Sequence, residues 1–124
     1  MSKADIKSYR DLLVWQQAMD LAVLCYSLTR SFPREEMFGF TSQIRRASAS
    51  IAANIAEGHG RENSGSFVQF LRIAQGSLKE TETHLLLSER VGLLKADQLA
   101  PAMKACDEIG RMLRSLIRTL QEKQ

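Results

Sequence analysis

The chain has 124 residues, 44% of them hydrophobic and 25% charged, with only two prolines. That is enough for one modest domain over residues 1–124 and hardly for two, and it excludes a disordered chain, which lacks the apolar residues to build a core. Seventeen basic residues against 14 acidic give a net charge of +3, an excess that permits nucleic-acid binding without demanding it.

No apolar run approaches the roughly 18–20 residues of a membrane span. The opening MSKADIKSYRDL is charged and lacks the apolar stretch of a signal peptide, so a cytoplasmic protein with no membrane partner is expected. Cys25 and Cys106 are isolated, with no CxxC spacing, and read as reduced core thiols.

The pattern predicts four helices and no strand. The first covers about residues 12–32, where Val14, Ala18, Leu21, Cys25, Leu28 and Phe32 alternate at four and three, the spacing of one helix face. Trp15, Met19, Ala22 and Tyr26 form a second stripe beside it. Pro33 should end this helix and open a short helical turn. The second helix covers about residues 41–57, with Gly58, His59 and Gly60 expected to stop it. The third covers about 66–91, capped by Ser64 or Ser66. Phe67, Leu71, Ala74, Leu78, Thr81, Leu85 and Ser88 hold the four-three spacing throughout, and Gly76 reads as a point of close backbone approach. Gly92 ends that helix. The fourth covers about 97–121, with Leu99, Met103, Cys106, Gly110, Leu113, Ile117 and Leu120 inward and Pro101 placed in its first turn. Short connections make this an all-α, antiparallel up-down-up-down four-helix bundle.

The second helix has three faces when projected at about 100° per residue. Phe40, Ile44, Ile51 and Ile55 face the core. Gln43, Arg46, Ser50, Asn54, Glu57 and Arg61 form a polar line beside them. Ala49, Ala52, Ala53 and Ala56 make a small-residue wall, with Arg45 among them. An alanine wall is cheap to leave in water and favours helix in any case. Combined with the extra stripe Trp15, Met19, Ala22 and Tyr26, it points to an oligomer interface, because one bundle needs only one broad apolar face per helix. The polar line reads first as a hydrogen-bonded network, with Ser77, Glu80 and His84 offering matching groups on the third helix. A ligand or catalytic cleft is the second reading of the same residues.

Two stretches carry a resemblance. TSQIRRASASIAANIAEGHGR and FVQFLRIAQGSLKETETHL resemble the four-helix bundle family encoded in intervening sequences of bacterial 23S rRNA genes. YRDLLVWQQAMDLAVLCYSLTRSFPREE is similar to its opening helix, so the likeness covers about residues 9–120. The elements SxxxNIAEGxxR and GSLxExxxxL are quite specific together. The family's polar residues correspond to Gln43, Arg46, Ser50, Asn54, Glu57 and Arg61. Gln75 departs from the arginine that members often carry before Gly-Ser, and Ala52 from a common proline. The resemblance implies an antiparallel bundle assembled as a homopentamer, and a link to nucleic acid through genetic context. A branch of the same fold serves as the accessory protein of diversity-generating retroelements, which binds a reverse transcriptase and nucleic acid.

No reaction is legible. His59 and His84 lie in different segments, no HExxH or CxxC occurs, and Glu80 and His84 are four apart where a di-iron bundle uses ExxH. No nucleophile has a recognisable base. No metal or other cofactor is expected, and the chain is not expected to be an enzyme. The candidate nucleic-acid contacts are Lys104, Arg111, Arg114 and Arg118 on the fourth helix, Arg72 and Lys79 on the third, and Arg45, Arg46 and Arg61 on the second. In one copy they mix with Glu82, Glu89, Asp107 and Glu108 and read as a solvated face. In a ring, copies of a weak stripe converge, and phosphate affinity rises with the number of charges neutralised. The expected function is therefore a non-enzymatic oligomeric scaffold for RNA or DNA backbone, or for a nucleic-acid enzyme. The alternative is a purely structural or protein-binding homo-oligomer without nucleic-acid affinity.

Overall fold

In the computed structural model, residues 6–123 are described; residues 1–5 of the charged start and Gln124 lie outside them. Four helices follow in order: α1 (Leu13–Thr29), α2 (Ser42–Gly60), α3 (Ser64–Arg90) and α4 (Ala96–Glu122). A 3-10 turn, Tyr9–Asp11, precedes α1, closed by a reciprocal cap in which the Asp11 carboxylate accepts the amides of Lys7 and Ser8. These two amides favour the charged carboxylate and hold Asp11 below its ordinary pKa.

Each helix packs on the next and α1 closes on α4, giving an all-α four-helix bundle. Cross-helix pairs give the direction. Phe40 just before α2, and Ser50 and Gly58 within it, meet His84, Ser77 and Phe70 of α3 in reverse order. Arg45 of α2 meets Thr29 of α1, while Ala56 shares a groove with Trp15. Gly110 of α4 faces Leu78, and Arg118 shares a groove with Arg72. Neighbours are antiparallel at all three junctions.

The four-three stripes supply most of the core, while in α4 Ala102 and Ile109 are fully buried where the stripe's Met103 is only partly so. Leu21 and Cys25, Ile44, Ile51 and Ile55, Leu71, Leu78 and Leu85, and Cys106, Ile109 and Leu113 are fully buried. Thr29, Thr81 and Ser88 fit among them because each hydroxyl donates to a carbonyl one turn back, at 2.8 Å in all three. Burial pushes the Cys25 thiol up to about 11 and the Cys106 thiol up to about 12, as expected for inert core thiols.

The helix ends depart from expectation in physically clear ways. α1 stops at Thr29, and Phe32 reaches the core through the tighter bonds Arg30 N to Ser27 O and Phe32 N to Thr29 O. Pro33 precedes the next turn, Arg34–Glu36, instead of occupying its first position, and a π-type turn, Met37–Thr41, follows. α3 is capped by Asn63, whose Oδ1 accepts the Ser66 amide at 2.9 Å, so neither serine is the cap. α4 begins at Ala96, which makes Pro101 its sixth residue, on an exposed side. Gly76 offers no close approach, since a Cβ there would meet nothing within 4 Å.

Gly58, His59 and Gly60 do not stop α2 but extend it. The left-handed residue after the helix is Glu62, with φ 62°, and its amide bonds the His59 carbonyl. A side chain in that region costs roughly 1 kcal/mol. Glu62→Gly is therefore expected to stabilise the fold by about 0.5–1 kcal/mol, read as a higher denaturation midpoint. A lower midpoint would mean that the glutamate side chain contributes more than the backbone costs.

Candidate functional site

The predicted interface residues come together. Trp15, Met19, Ala22 and Tyr26 of α1 and Ala49, Ala52, Ala53 and Ala56 of α2 all line one groove of about 560 Å³. Its α2 side is all alanine, and its α1 side carries the larger side chains. Ala22 and Ala52 are buried, while Met19 and Tyr26 remain more than two-fifths exposed. Tyr9, Val23 and Arg30 complete the lining. Val23 and Arg30 continue the Met19 and Tyr26 positions by four residues, a signal the sequence contained. Tyr9 packs edge-on against Trp15 at 5.2 Å and was reachable only through the fold.

The polar line runs along the α2–α3 seam. Ser50 Oγ shares a 2.9 Å hydrogen bond with Ser77 Oγ, and Asn54 Nδ2 donates to Ser50 O at 2.8 Å and to Ser50 Oγ at 2.9 Å. Asn54 thus braces its own helix, and Ser50 makes the crossing to α3. Gln43, Arg46, Ser50 and Glu80 line a polar cleft of about 390 Å³ with Phe38 and Ser42. Glu57 pairs with Arg61 at 3.7 Å. His84 lies 3.8 Å from Glu80 and edge-on to Phe40, while His59 packs on Phe67. Ser50→Ala removes the crossing hydroxyl and should cost about 1 kcal/mol with helix content unchanged, measured as a urea midpoint shift at constant m. An unchanged midpoint would show that the serine pair does not clamp α2 to α3.

The nine basic candidates separate into three places. Arg45 is taken up between α1 and α2. Its Nε donates to Thr29 Oγ1 at 2.9 Å and its guanidinium lies 4.5 Å from the Tyr26 ring centroid. Arg46 and Arg61 lie on the α2 polar line, Arg61 also 5.1 Å from the Phe70 ring centroid. The other six are on α3 and α4. Arg72, Arg114 and Arg118 line one groove of about 240 Å³ with Gln75 and Gln121. Lys79 and Arg114 line the adjoining one, of about 320 Å³. Lys79 is paired with Glu82 at 3.2 Å and Arg111 with Asp107 at 2.9 Å. Among the described residues Arg72, Lys104, Arg114 and Arg118 form no ion pair.

Residues 10–115 match the model of the 23S rRNA-intervening sequence protein family. The chain belongs to that family. A crystal structure of a protein of unknown function from the S23 ribosomal protein family of Bacteroides thetaiotaomicron VPI-5482 is similar at 28% identity. The match spans 85% of this chain and 98% of that one, with a TM-score of 0.76. No curated protein matches the chain. Among the described residues, no helix is long and apolar enough to cross a membrane.

Proposed function

We propose that this protein is a non-enzymatic, cytoplasmic homo-oligomer that holds nucleic-acid backbone on its α3–α4 face. The observation that carries the reading is the convergence of Arg72, Arg114 and Arg118 on one groove, with no carboxylate paired to any of them among the described residues. Three like charges on one surface repel one another, and a phosphate relieves that repulsion. Guanidinium forks match phosphate oxygens two at a time. No aromatic ring lines the groove, so the mode is contact with backbone and not stacking on bases. Self-association supports the reading in a second way. The α1–α2 groove lies on a different seam of the bundle from these arginines, so assembly through it leaves the basic face of every copy available, and the faces add. The ring of five implied by the family resemblance is the assembly we favour, with a nucleic-acid enzyme as a further partner.

The test is binding of the purified protein to labelled structured RNA and duplex DNA across several salt concentrations. Micromolar or tighter binding that weakens steeply with salt supports the reading, because only phosphate contact releases counterions. No binding at low salt would leave a structural or protein-binding oligomer.

A further inference from the structure

The sequence FGF at residues 38–40 divides its two rings. Phe40 turns inward, packs on the core and meets His84 edge-on at 6.4 Å. Phe38 turns outward and is 93% exposed, more than any other large apolar side chain among the described residues. The non-helical backbone of Gly39 makes the division, and the Glu36 carboxylate accepts the Phe40 amide at 3.4 Å and holds the turn in place. Phe38 is thus a presented knob and not the tip of a long loose loop. A fully hydrated aromatic ring beside a half-exposed Met37 is unfavourable in a free monomer.

The same chain has a largely apolar groove between α1 and α2. Knob and groove lie on different faces of the bundle, since Phe38 borders the α2–α3 cleft while the groove lies on the α1 side of α2. Their charges are complementary. The turn Arg34–Glu36 before the knob holds two carboxylates against one guanidinium. Arg30 lines the groove, Arg45 stacks on Tyr26 at its edge, and Arg10 lies over Tyr9 at the other end.

We propose that Phe38 of one copy docks into the α1–α2 groove of the next copy, where Met19, Val23 and Tyr26 surround the ring against the alanine side. This rests on the self-association part of the proposed function. The contact joins two different patches, so it is head-to-tail. Repeated, it closes a ring when the rotation between copies permits. It also gives the alanines a reason to be small, since any larger side chain at Ala53 would occupy the space of the ring.

Two measurements test it. The first replaces Phe38 by p-benzoylphenylalanine, which keeps an aromatic knob, and irradiates the assembled protein. Adducts between copies at Met19, Val23 or Tyr26 are expected; adducts confined to other surfaces overturn the docking. The second compares Phe38→Ala and Ala53→Trp with the wild type by sedimentation at several concentrations. Phe38 and Ala53 are both exposed, so helix content should be unchanged by circular dichroism, and each variant should raise the subunit dissociation constant by about 30-fold or more. Wild-type assembly in both variants overturns the docking and leaves self-association standing. A monomeric wild type overturns both.

Discussion

Gly58→Ala should destabilise the bundle by about 2 kcal/mol, although alanine is the better helix former by roughly 1 kcal/mol. The loss comes from α3. A Cβ at position 58 would lie 2.6 Å from Phe70 Cβ, 3.1 Å from Phe67 Cδ1 and 3.3 Å from Phe67 O. Two of these atoms belong to, or are fixed directly to, the α3 backbone, so no rotamer change relieves the overlap and the helices must separate. Separation weakens packing that includes the fully buried Ile55 and Leu71. Gly76→Ala is the matched control. That residue is helical and its Cβ would meet nothing within 4 Å, so the substitution should stabilise by up to about 1 kcal/mol. At one fixed protein concentration the melting temperatures of the two variants should differ by roughly 10 °C, with Gly58→Ala the lower. Equal shifts would show that the α2 and α3 backbones do not approach closely at Gly58.

That contrast marks the limit of what the sequence discloses. Glycine's preference for helix ends marks Gly58 as a stop, and its mid-helix position marks Gly76 as a close approach; the fold instead puts the close approach at Gly58 and leaves Gly76 open. Glycine in a sequence reports only a missing side chain. Whether the space is needed for a backbone turn or for a neighbouring ring depends on which residues of another helix lie opposite. The stripes are different in kind. Leu71, Leu78, Thr81, Leu85 and Ser88 recur with the helical period, so their common face follows from chain geometry alone. The groove was legible for the same reason. Two faces, each defined within its own helix, need only an antiparallel α1–α2 pair to meet, and all eight residues then line one surface. Arg45 shows where that reasoning ends. Its position within the alanine wall was readable, but its engagement with Thr29 and Tyr26 depends on a contact 16 residues away in sequence. Phe38 lies in a turn whose shape depends on Gly39 and on the Glu36 cap, and no periodicity governs such a segment.

Converting Arg72, Arg114 and Arg118 together to glutamine should weaken binding to duplex nucleic acid by about 100-fold at moderate salt, for three charge-assisted contacts of about 1 kcal/mol each. The slope of log affinity against log salt should become shallower by about 3 per bound copy, since each neutralised phosphate contributes roughly 0.9. The fold should tolerate the change. All three side chains are exposed and none forms an ion pair among the described residues, and removing mutual repulsion costs no stability. Lys79→Gln with Arg111→Gln is the informative comparison. Both cations lie near the same face but already have carboxylate partners, Glu82 at 3.2 Å and Asp107 at 2.9 Å. A phosphate approaching them must displace or confront a negative charge, so their loss should matter less, by about 5-fold or under. If the two variants weaken binding equally, general positive charge attracts the nucleic acid and the groove confers no particular geometry. If neither does, the α3–α4 face is not the binding surface, and Arg46, exposed and without an ion pair beside the polar cleft, becomes the arginine to replace next.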